Sequence, residues 1–505
     1  MANPLYDTLF GRHAGSDAPF LHLPDGGQIS YAGFLAMAAR IAGHLSALGL
    51  KPGDRLAAQV AKSPEALALY AACAQTGVVF LPLNTAYTPT EVTYFLENSG
   101  ASLVICDGAG REALGPIAAG LGAQVATLNA DGSGSLMEGA ADHSETFPTA
   151  ERGADDLAAL LYTSGTTGRS KGAMLSQRNL LSNAQVLKDE WRFTSDDVLL
   201  HCLPIFHTHG LFVATNVTLA AGGAMIFLPK FDVDAVLHHL PQATTMMGVP
   251  TFYTRLLDDA RFDGPATQHM RLFTSGSAPL LAETHDRFSA RTGHAILERY
   301  GMTETNMNTS NPYEGDRRAG TVGFPLPGVE LKVCDPANGQ ELPQGEVGQL
   351  EVRGENVFQG YWQMPEKTAE ELREDGFFIT GDLGLIDERG YVQIVGRGKD
   401  LIISGGYNIY PKEIELVLDE QAGVLESAVI GVPHPDFGET VVGVLVPEAG
   451  QTPDADAIMA AAGEALARFK HPRKLIVLDE LPRNTMGKVQ KNILRERYGD
   501  LFTGE

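Results

Sequence analysis

The segment Thr163-Ser164-Gly165-Thr166-Thr167-Gly168-Arg169-Ser170-Lys171-Gly172 gathers hydroxyls, glycines and two cations within ten residues. That mixture suits a polyphosphate. Glycines let backbone N–H groups come close, hydroxyls donate, and Arg169 and Lys171 neutralise charge. Read alone, the cluster fits a solvated surface loop equally well. It is not a Walker A loop, which needs Gly-Lys-Ser/Thr opening a helix. Here Arg169 and Ser170 separate Gly168 from Lys171.

Six further segments carry residue types that chemistry on a nucleotide would use. In chain order they are 204–210 (Pro-Ile-Phe-His-Thr-His-Gly), 275–279 (Ser-Gly-Ser-Ala-Pro), 298–304 (Glu-Arg-Tyr-Gly-Met-Thr-Glu), 380–382 (Thr-Gly-Asp), 396–400 (Gly-Arg-Gly-Lys-Asp) and 482–488 (Pro-Arg-Asn-Thr-Met-Gly-Lys). Each has a plain structural use when taken singly. Glu304 suits a surface carboxylate, Asp382 a turn before Gly384, Gly405-Gly406 a strand-to-loop turn, and Lys488 a solvated lysine.

Taken together, in this order and spacing, the seven segments resemble the acyl-adenylate-forming superfamily. That superfamily includes acyl-CoA synthetases, firefly-type luciferases and the adenylation domains of peptide synthetases. The resemblance implies that Thr163, Ser164, Gly165, Thr166, Thr167, Gly168, Arg169 and Lys171 bind ATP phosphates. It implies that Gly276, Ser277, Ala278 and Pro279 flank the adenine, and that Glu298, Arg299, Tyr300, Gly301, Met302 and Thr303 lie under the adenylate. Glu304 is expected to act in catalysis by holding Mg²⁺, with Thr166 beside it. Asp382 and Arg397 are expected at the ribose and Lys399 at an interdomain hinge. Ser404, Gly405 and Gly406 are expected to line a tunnel for CoA. Lys488 is the expected catalytic lysine, and His207, also expected to act in catalysis, belongs to the segment that gates the acyl pocket. The chemistry implied is transfer of a carboxylate to the α-phosphorus of ATP, then of the acyl group from AMP to the thiol of CoA.

The acid is read from a possible pocket wall. Pro250 suits the first turn of a helix on which Arg255 shares a face with Thr251 and Phe252. Arg255 fits two roles: a surface cation paired with Asp258 or Asp259, or a buried cation that needs a substrate carboxylate. Segments 81–88, 206–210, 248–255 and 302–309 resemble malonyl-CoA synthetases. That likeness implies malonate, with methylmalonate as a further candidate, and Arg255 as the binder of the distal carboxylate. It also implies His207, Thr208, Ser277 and Met307 at the substrate, with Thr208 and Met307 crowding C2. The nearest alternative is a synthetase for acetate or propionate. A peptide-synthetase-type adenylation domain would need a carrier protein, and the 17 residues after Lys488 are too few to hold one. An alternative of another class is an adenylate sensor without turnover.

These residues need elements to position them. An apolar run at 157–162 reads as a strand leading into the phosphate loop. A short strand follows, then a helix after Ser176 with Leu180, Ala184, Leu187 and Trp191 on one face. Helices are expected at 30–50 and 89–98, and strands at 77–83, 102–106, 272–274 and 295–297. Alternation of this kind predicts α/β layers. Residues 329–394 are rich in Gly, Pro and short β-like runs, at 330–334, 348–353 and 391–395. After Lys399 the pattern reads strand, Gly-rich loop, helix 411–419, strands 427–432 and 441–446, helix 456–469 and strand 474–478. The fold expected is α/β: a large N-terminal α/β domain over 1–398 with a β subdomain near 329–398, and a small α+β domain over 399–505. The family resemblance implies that the small domain is mobile.

Composition bounds the partners. A formal charge of −24 argues against non-specific binding to nucleic acid or anionic membrane. No apolar run reaches the roughly 18–20 residues that a membrane helix needs. Residues 1–10 lack a basic region and an apolar core, so a cytosolic location is expected. Cys73, Cys106, Cys202 and Cys334 form no CxxC pair and lie in or beside apolar stretches, so free buried thiols are expected.

Overall fold

Short, fully apolar strands alternating with amphipathic helices build parallel sheets covered on both faces. The structure, a computed structural model, describes residues 3–163, 170–404, 407–484 and 487–502. Internal contacts divide the chain into two units, Met1–Glu330 with Val352–Phe378, and Leu331–Glu351 with Ile379–Glu505. Residues 331–351 and 379–398 thus group with the C-terminal segment.

The first unit holds two sheets. One has six strands in the order Gln124–Thr127, Leu103–Cys106, Arg55–Gln59, Val79–Pro82, Leu157–Thr163, Lys171–Ser176. Its last pair is antiparallel and its others parallel. Every residue of Val79–Pro82 and Leu103–Cys106 is buried, as a strand covered on both faces requires. Helix Tyr31–Ala47 starts where the Ser30 hydroxyl accepts from Gly33 N. Helix Pro89–Ser99 starts at a Thr88/Glu91 capping box and stops at left-handed Gly100.

The second sheet has nine strands, ordered Phe324–Pro325, Asn306–Ser310, Leu297–Met302, Leu272–Ser275, Thr245–Gly248, Val198–His201, Ala224–Phe227, Pro19–His22, Gln28–Ser30. From Leu297–Met302 to Pro19–His22 every neighbouring pair is parallel. An aromatic core of Tyr253, Phe262, Phe273 and Phe288 packs on one face. The connection from Val198–His201 goes to Ala224–Phe227 on one side, while Thr245–Gly248 lies on the other. The chain order therefore switches direction at Val198–His201, where the carboxyl ends of neighbouring strands open a crevice.

A four-stranded sheet runs Val329–Cys334, Gly348–Gly354, Phe378–Ile386, Val392–Arg397. The strand Phe378–Ile386 is absent from the sequence reading. Its buried positions alternate as Phe378, Thr380, Asp382, and two polar residues on the inner face hide the period-2 signal. A second sheet pairs Val424–His434 with Gly438–Pro447 over ten registered positions, with Lys474–Val477 parallel to the latter. Helix Pro411–Asp419 buries Ile414 and Leu418 in its core. The helix expected over 456–469 ends earlier, as Ala455–Ala465, because Leu466 turns to extended backbone and a 3₁₀ turn Arg468–Lys470 follows. Helix Lys491–Tyr498 is also absent from the sequence reading. Among the described residues no helix is long and apolar enough to cross a membrane.

Candidate active site

The segments singled out in the first unit gather at the carboxyl ends of strands beside the switch. Segment 204–210 follows Val198–His201, the turn at Val249 follows Thr245–Gly248, and 276–279 follows Leu272–Ser275. Residues 298–302 lie in the next strand, whose hairpin partner begins at Asn306. These connections are tied to one another. His209 Nδ1 and Ser277 Oγ are 3.1 Å apart, Gly276 N donates to Gly248 O at 3.3 Å, and Thr208 Oγ1 donates to Asn306 Oδ1 at 2.7 Å. Leu280 N donates to Glu298 Oε1 at 3.1 Å. Ser277 has φ 71° and Asn306 φ 52°, a left-handed conformation that ordinary side chains adopt at a cost. Two such residues in facing loops mark a site held in shape by its surroundings.

Arg299 lies at the centre of this group, only 3% exposed. Its guanidinium packs on Gly276 so closely that a methyl built there would lie 2.2 Å from Nη1. Nε and Nη2 have no hydrogen-bond partner among the described residues. Burial pushes the group down to about 9, with only partial relief from Tyr253 and Glu298. An arginine remains protonated there. His209, also buried, is held far below the ordinary histidine range by burial and then by Arg299, so it is neutral. Its Nε2 likewise lacks a partner among the described residues. Unsatisfied buried donors of this kind are expensive unless an acceptor completes them. An anionic ligand with two oxygens would do so.

Arg255 is placed differently from a buried pocket cation. Helix Pro250–Leu257 turns Tyr253, Leu256 and Leu257 inward, which leaves Arg255 exposed. Asp258 and Asp259 bond to Arg287 and Arg261 instead, and no described residue pairs with Arg255. Of the two placements open to Arg255, the structure shows the exposed one, without the pairing to Asp258 or Asp259; among the described residues the buried arginine is Arg299. Thr208 and Met307 are both buried, and Met307 Cε would lie 2.6 Å from a methyl on Gly301. His207 is half-buried and accepts from His209 N through Nδ1 at 3.2 Å. Lys62, not anticipated from sequence, braces the same segment. Its ammonium sits 2.8 Å from His201 Nδ1, and His201 Nε2 lies 2.9 Å from Gly210 O.

The phosphate loop spans a hairpin, since Thr163 and Lys171 are register partners. Ser164, Gly165, Thr166, Thr167, Gly168 and Arg169 lie outside the described residues. Lys171 Nζ pairs with Glu371 at 3.0 Å, and the Tyr361 hydroxyl reaches both Glu371 (2.6 Å) and Glu304 (3.1 Å). Glu304 is buried. Tyr300, Gly301, Met302 and Thr303 are half-buried, and of 276–279 Pro279 alone is exposed.

In the second unit Asp382 and Arg397 are register partners on neighbouring strands, joined by an ion pair of 2.7 Å. Lys399 lies in the 3₁₀ turn Gly398–Asp400 directly after, its ammonium lowered chiefly by burial. Ser404 and Tyr407 are register partners on antiparallel strands, and Gly405 and Gly406 lie outside the described residues. Lys488 is exposed, and its amide donates to Asn484 Oδ1 at 3.0 Å.

The sequence model of the AMP-binding enzyme family matches residues 11–362, and that of its C-terminal domain matches residues 413–488. The chain belongs to the AMP-binding enzyme family. This AMP-binding enzyme resembles ATP-bound MatB from Rhodopseudomonas palustris with a TM-score of 0.98 and 60% identity, over 99% of this chain and 100% of that one. It is 35% identical over 457 residues to a malonate–CoA ligase of Arabidopsis thaliana, covering 83% of this chain and 74% of the relative. It is 37% identical over 478 residues to a feruloyl-CoA synthase of Amycolatopsis, covering 94% and 95%. Relatives of similar identity thus bear names with different acids, so the acid is argued from this enzyme's own pocket residues.

Proposed function

We propose that this chain joins malonate to CoA at the expense of ATP, by way of malonyl-AMP, releasing AMP and pyrophosphate. The observation that carries the acid is Arg299, a buried guanidinium with two nitrogens unpaired among the described residues, set against the loop of Ser277. A monocarboxylate would leave those two nitrogens without acceptors, whereas a second carboxylate offers them a forked pair of hydrogen bonds. Arg255, exposed, is assigned the approach of the same carboxylate. Thr208 and Met307 are assigned the space around C2.

A carboxylate does not acylate a thiol directly, because its oxygen leaves too poorly. In the first step one malonate oxygen attacks the α-phosphorus and pyrophosphate departs with the broken P–O bond. Catalysis here is positioning and charge stabilisation. Lys488 is assigned the bridging of carboxylate and α-phosphate oxygens, Lys171 the departing phosphates, and Asp382 with Arg397 the ribose. Glu304 suits Mg²⁺: it is a buried carboxylate, the oxygen chemistry a hard cation takes, and the Tyr361 hydroxyl links it to a second carboxylate, Glu371. Among the described residues no group of three or more acidic, His or Cys side chains forms a metal cage. Mg²⁺ needs none, since it is commonly held by one or two carboxylates and substrate phosphates. When bound, it neutralises charge on the leaving pyrophosphate, with Glu304 and Thr166 as its assigned holders. In the second step the CoA sulfur attacks the acyl carbonyl and AMP leaves. Lys399 is assigned the hinge between the two steps, and Ser404, Gly405 and Gly406 the pantetheine arm.

Thioester and pyrophosphate formation from malonate, methylmalonate, acetate and propionate tests the reading, in wild type, Arg255→Ala and Arg299→Met. Malonate preferred by wild type, with the preference lost in Arg299→Met, is the expected result. Equal use of acetate, unaffected by either substitution, would make malonate the wrong acid and leave adenylation standing. No pyrophosphate with any acid would turn the reading to a nucleotide sensor.

A further inference from the structure

The phosphate-loop lysine already has an anion. Lys171 Nζ contacts both oxygens of Glu371, at 3.0 and 3.1 Å, and lies 4.1 Å from the centre of the Tyr361 ring. The two side chains are 18% and 22% exposed, so the pair is shielded more than a surface ion pair. Glu371 is the last residue of helix Pro365–Glu371, and Lys171 opens the strand after the loop. Nothing in the local sequence demands this pairing, as 200 residues separate the partners.

Glu371 does not depend on Lys171. Lys367, one turn earlier on the same helix, reaches Glu371 Oε1 at 3.0 Å, and the Tyr361 hydroxyl donates to Oε2 at 2.6 Å. Take Lys171 away and the carboxylate keeps a cation and a charge-assisted hydrogen bond. Lys171, by contrast, belongs to the segment read as binding phosphates. We propose that Glu371 is a holding carboxylate for Lys171. It keeps the ammonium until a polyphosphate arrives, gives it up to that more highly charged anion, and takes it back when pyrophosphate leaves. The inference rests on the reading of 163–171 as a polyphosphate loop. A polyphosphate then displaces one carboxylate contact on binding, and the difference between the two interactions sets its affinity. Tyr361 extends the effect to Glu304, because its single proton serves whichever carboxylate is less well neutralised.

Calorimetric binding of Mg²⁺-pyrophosphate to the full chain separates the possibilities, using Glu371→Gln, Glu371→Asp, Lys171→Met and the Lys171→Met/Glu371→Gln pair. The expected result is several-fold tighter binding in both Glu371 variants and weaker binding in Lys171→Met. The Glu371 substitution should have no further effect once Lys171 is gone. A kcat lowered together with KM for ATP in Glu371→Gln, from slower pyrophosphate release, would agree. Unchanged or weaker pyrophosphate binding in Glu371→Gln and Glu371→Asp would overturn the proposal. If Lys171→Met itself leaves pyrophosphate affinity unchanged, the reading of the loop fails first and the proposal with it.

Discussion

The space over Gly276 belongs to Arg299, and a methyl there would meet Nη1 at 2.2 Å. Gly276→Ala should therefore move the guanidinium, and a displacement of about 1 Å in a positioning group costs on the order of a hundredfold in rate. The expected outcome is a large fall in kcat/KM for malonate, measured by thioester formation, with little change in Tm. Arg299→Met should behave in the opposite sense on stability. Burying an unpaired charge costs several kcal/mol, so its removal raises Tm while malonate use collapses. A calorimetric scan beside the kinetic assay checks both. At this scale the sequence singles out residue types wherever a motif is ordered and spaced, as at Glu304, Asp382 and Lys488. It does not say how deeply Arg255 and Arg299 are buried. Helix periodicity placed Arg255 beside Phe252, but only the packing of Tyr253, Leu256 and Leu257 decides which side turns inward. Arg299 sat inside a motif and was read as part of the adenylate floor, although an arginine in an otherwise buried strand was itself a signal.

Among the elements, the turn of helix at His209–Thr215 is of the wide, π type, often found where function interrupts regular packing. It requires Gly210, since a methyl there would come within 2.1 Å of Pro204 O, a backbone atom with no freedom to yield. Gly210→Ala is expected to lower Tm by several degrees and to disturb the Thr208–Asn306 contact, seen as lost discrimination between malonate and methylmalonate. In the second unit, burial raises Asp419 to about 6, with the Ser427 hydroxyl and Lys412 opposing and Glu415 adding. A carboxyl raised above its unfolded value stabilises fully below about 4 and loses that contribution as pH rises through about 6. Asp419→Asn should therefore raise Tm relative to wild type at pH 8 and make little difference at pH 4, as thermal scans across pH would show. Strands and helices with regular apolar spacing, such as Tyr31–Ala47 and Leu103–Cys106, were readable from sequence. Phe378–Ile386 was not, because its inner face carries the polar residues Thr380 and Asp382.

For the whole molecule, charge and substrate are of the same sign. A net charge of −24 faces ATP, CoA and malonate, all anions. Long-range repulsion weakens as the screening length falls from about 30 Å at 0.01 M salt to about 8 Å at 0.15 M. The KM for malonate is expected to fall over that range, the reverse of a basic protein, and initial rates at fixed ATP measure it. Strand order was beyond sequence pattern: nothing in residues 198–201 says that 224–227 lies on one side and 245–248 on the other. That arrangement brings the loops at 204 and 276 and the strand carrying 298 to one crevice, so these segments could be named singly before their assembly could be seen.

All four cysteines are free and buried. Burial raises the thiols of Cys73, Cys106 and Cys202, the second to about 11 and the third to about 12. An activated acyl group is indiscriminate toward thiols, and the protein offers it no exposed thiol of its own. The same concealment makes the chain its own reporter. A colourless disulfide reagent should find no titratable sulfur in the native protein and four in the denatured one, so the rate at which colour develops counts openings of the fold.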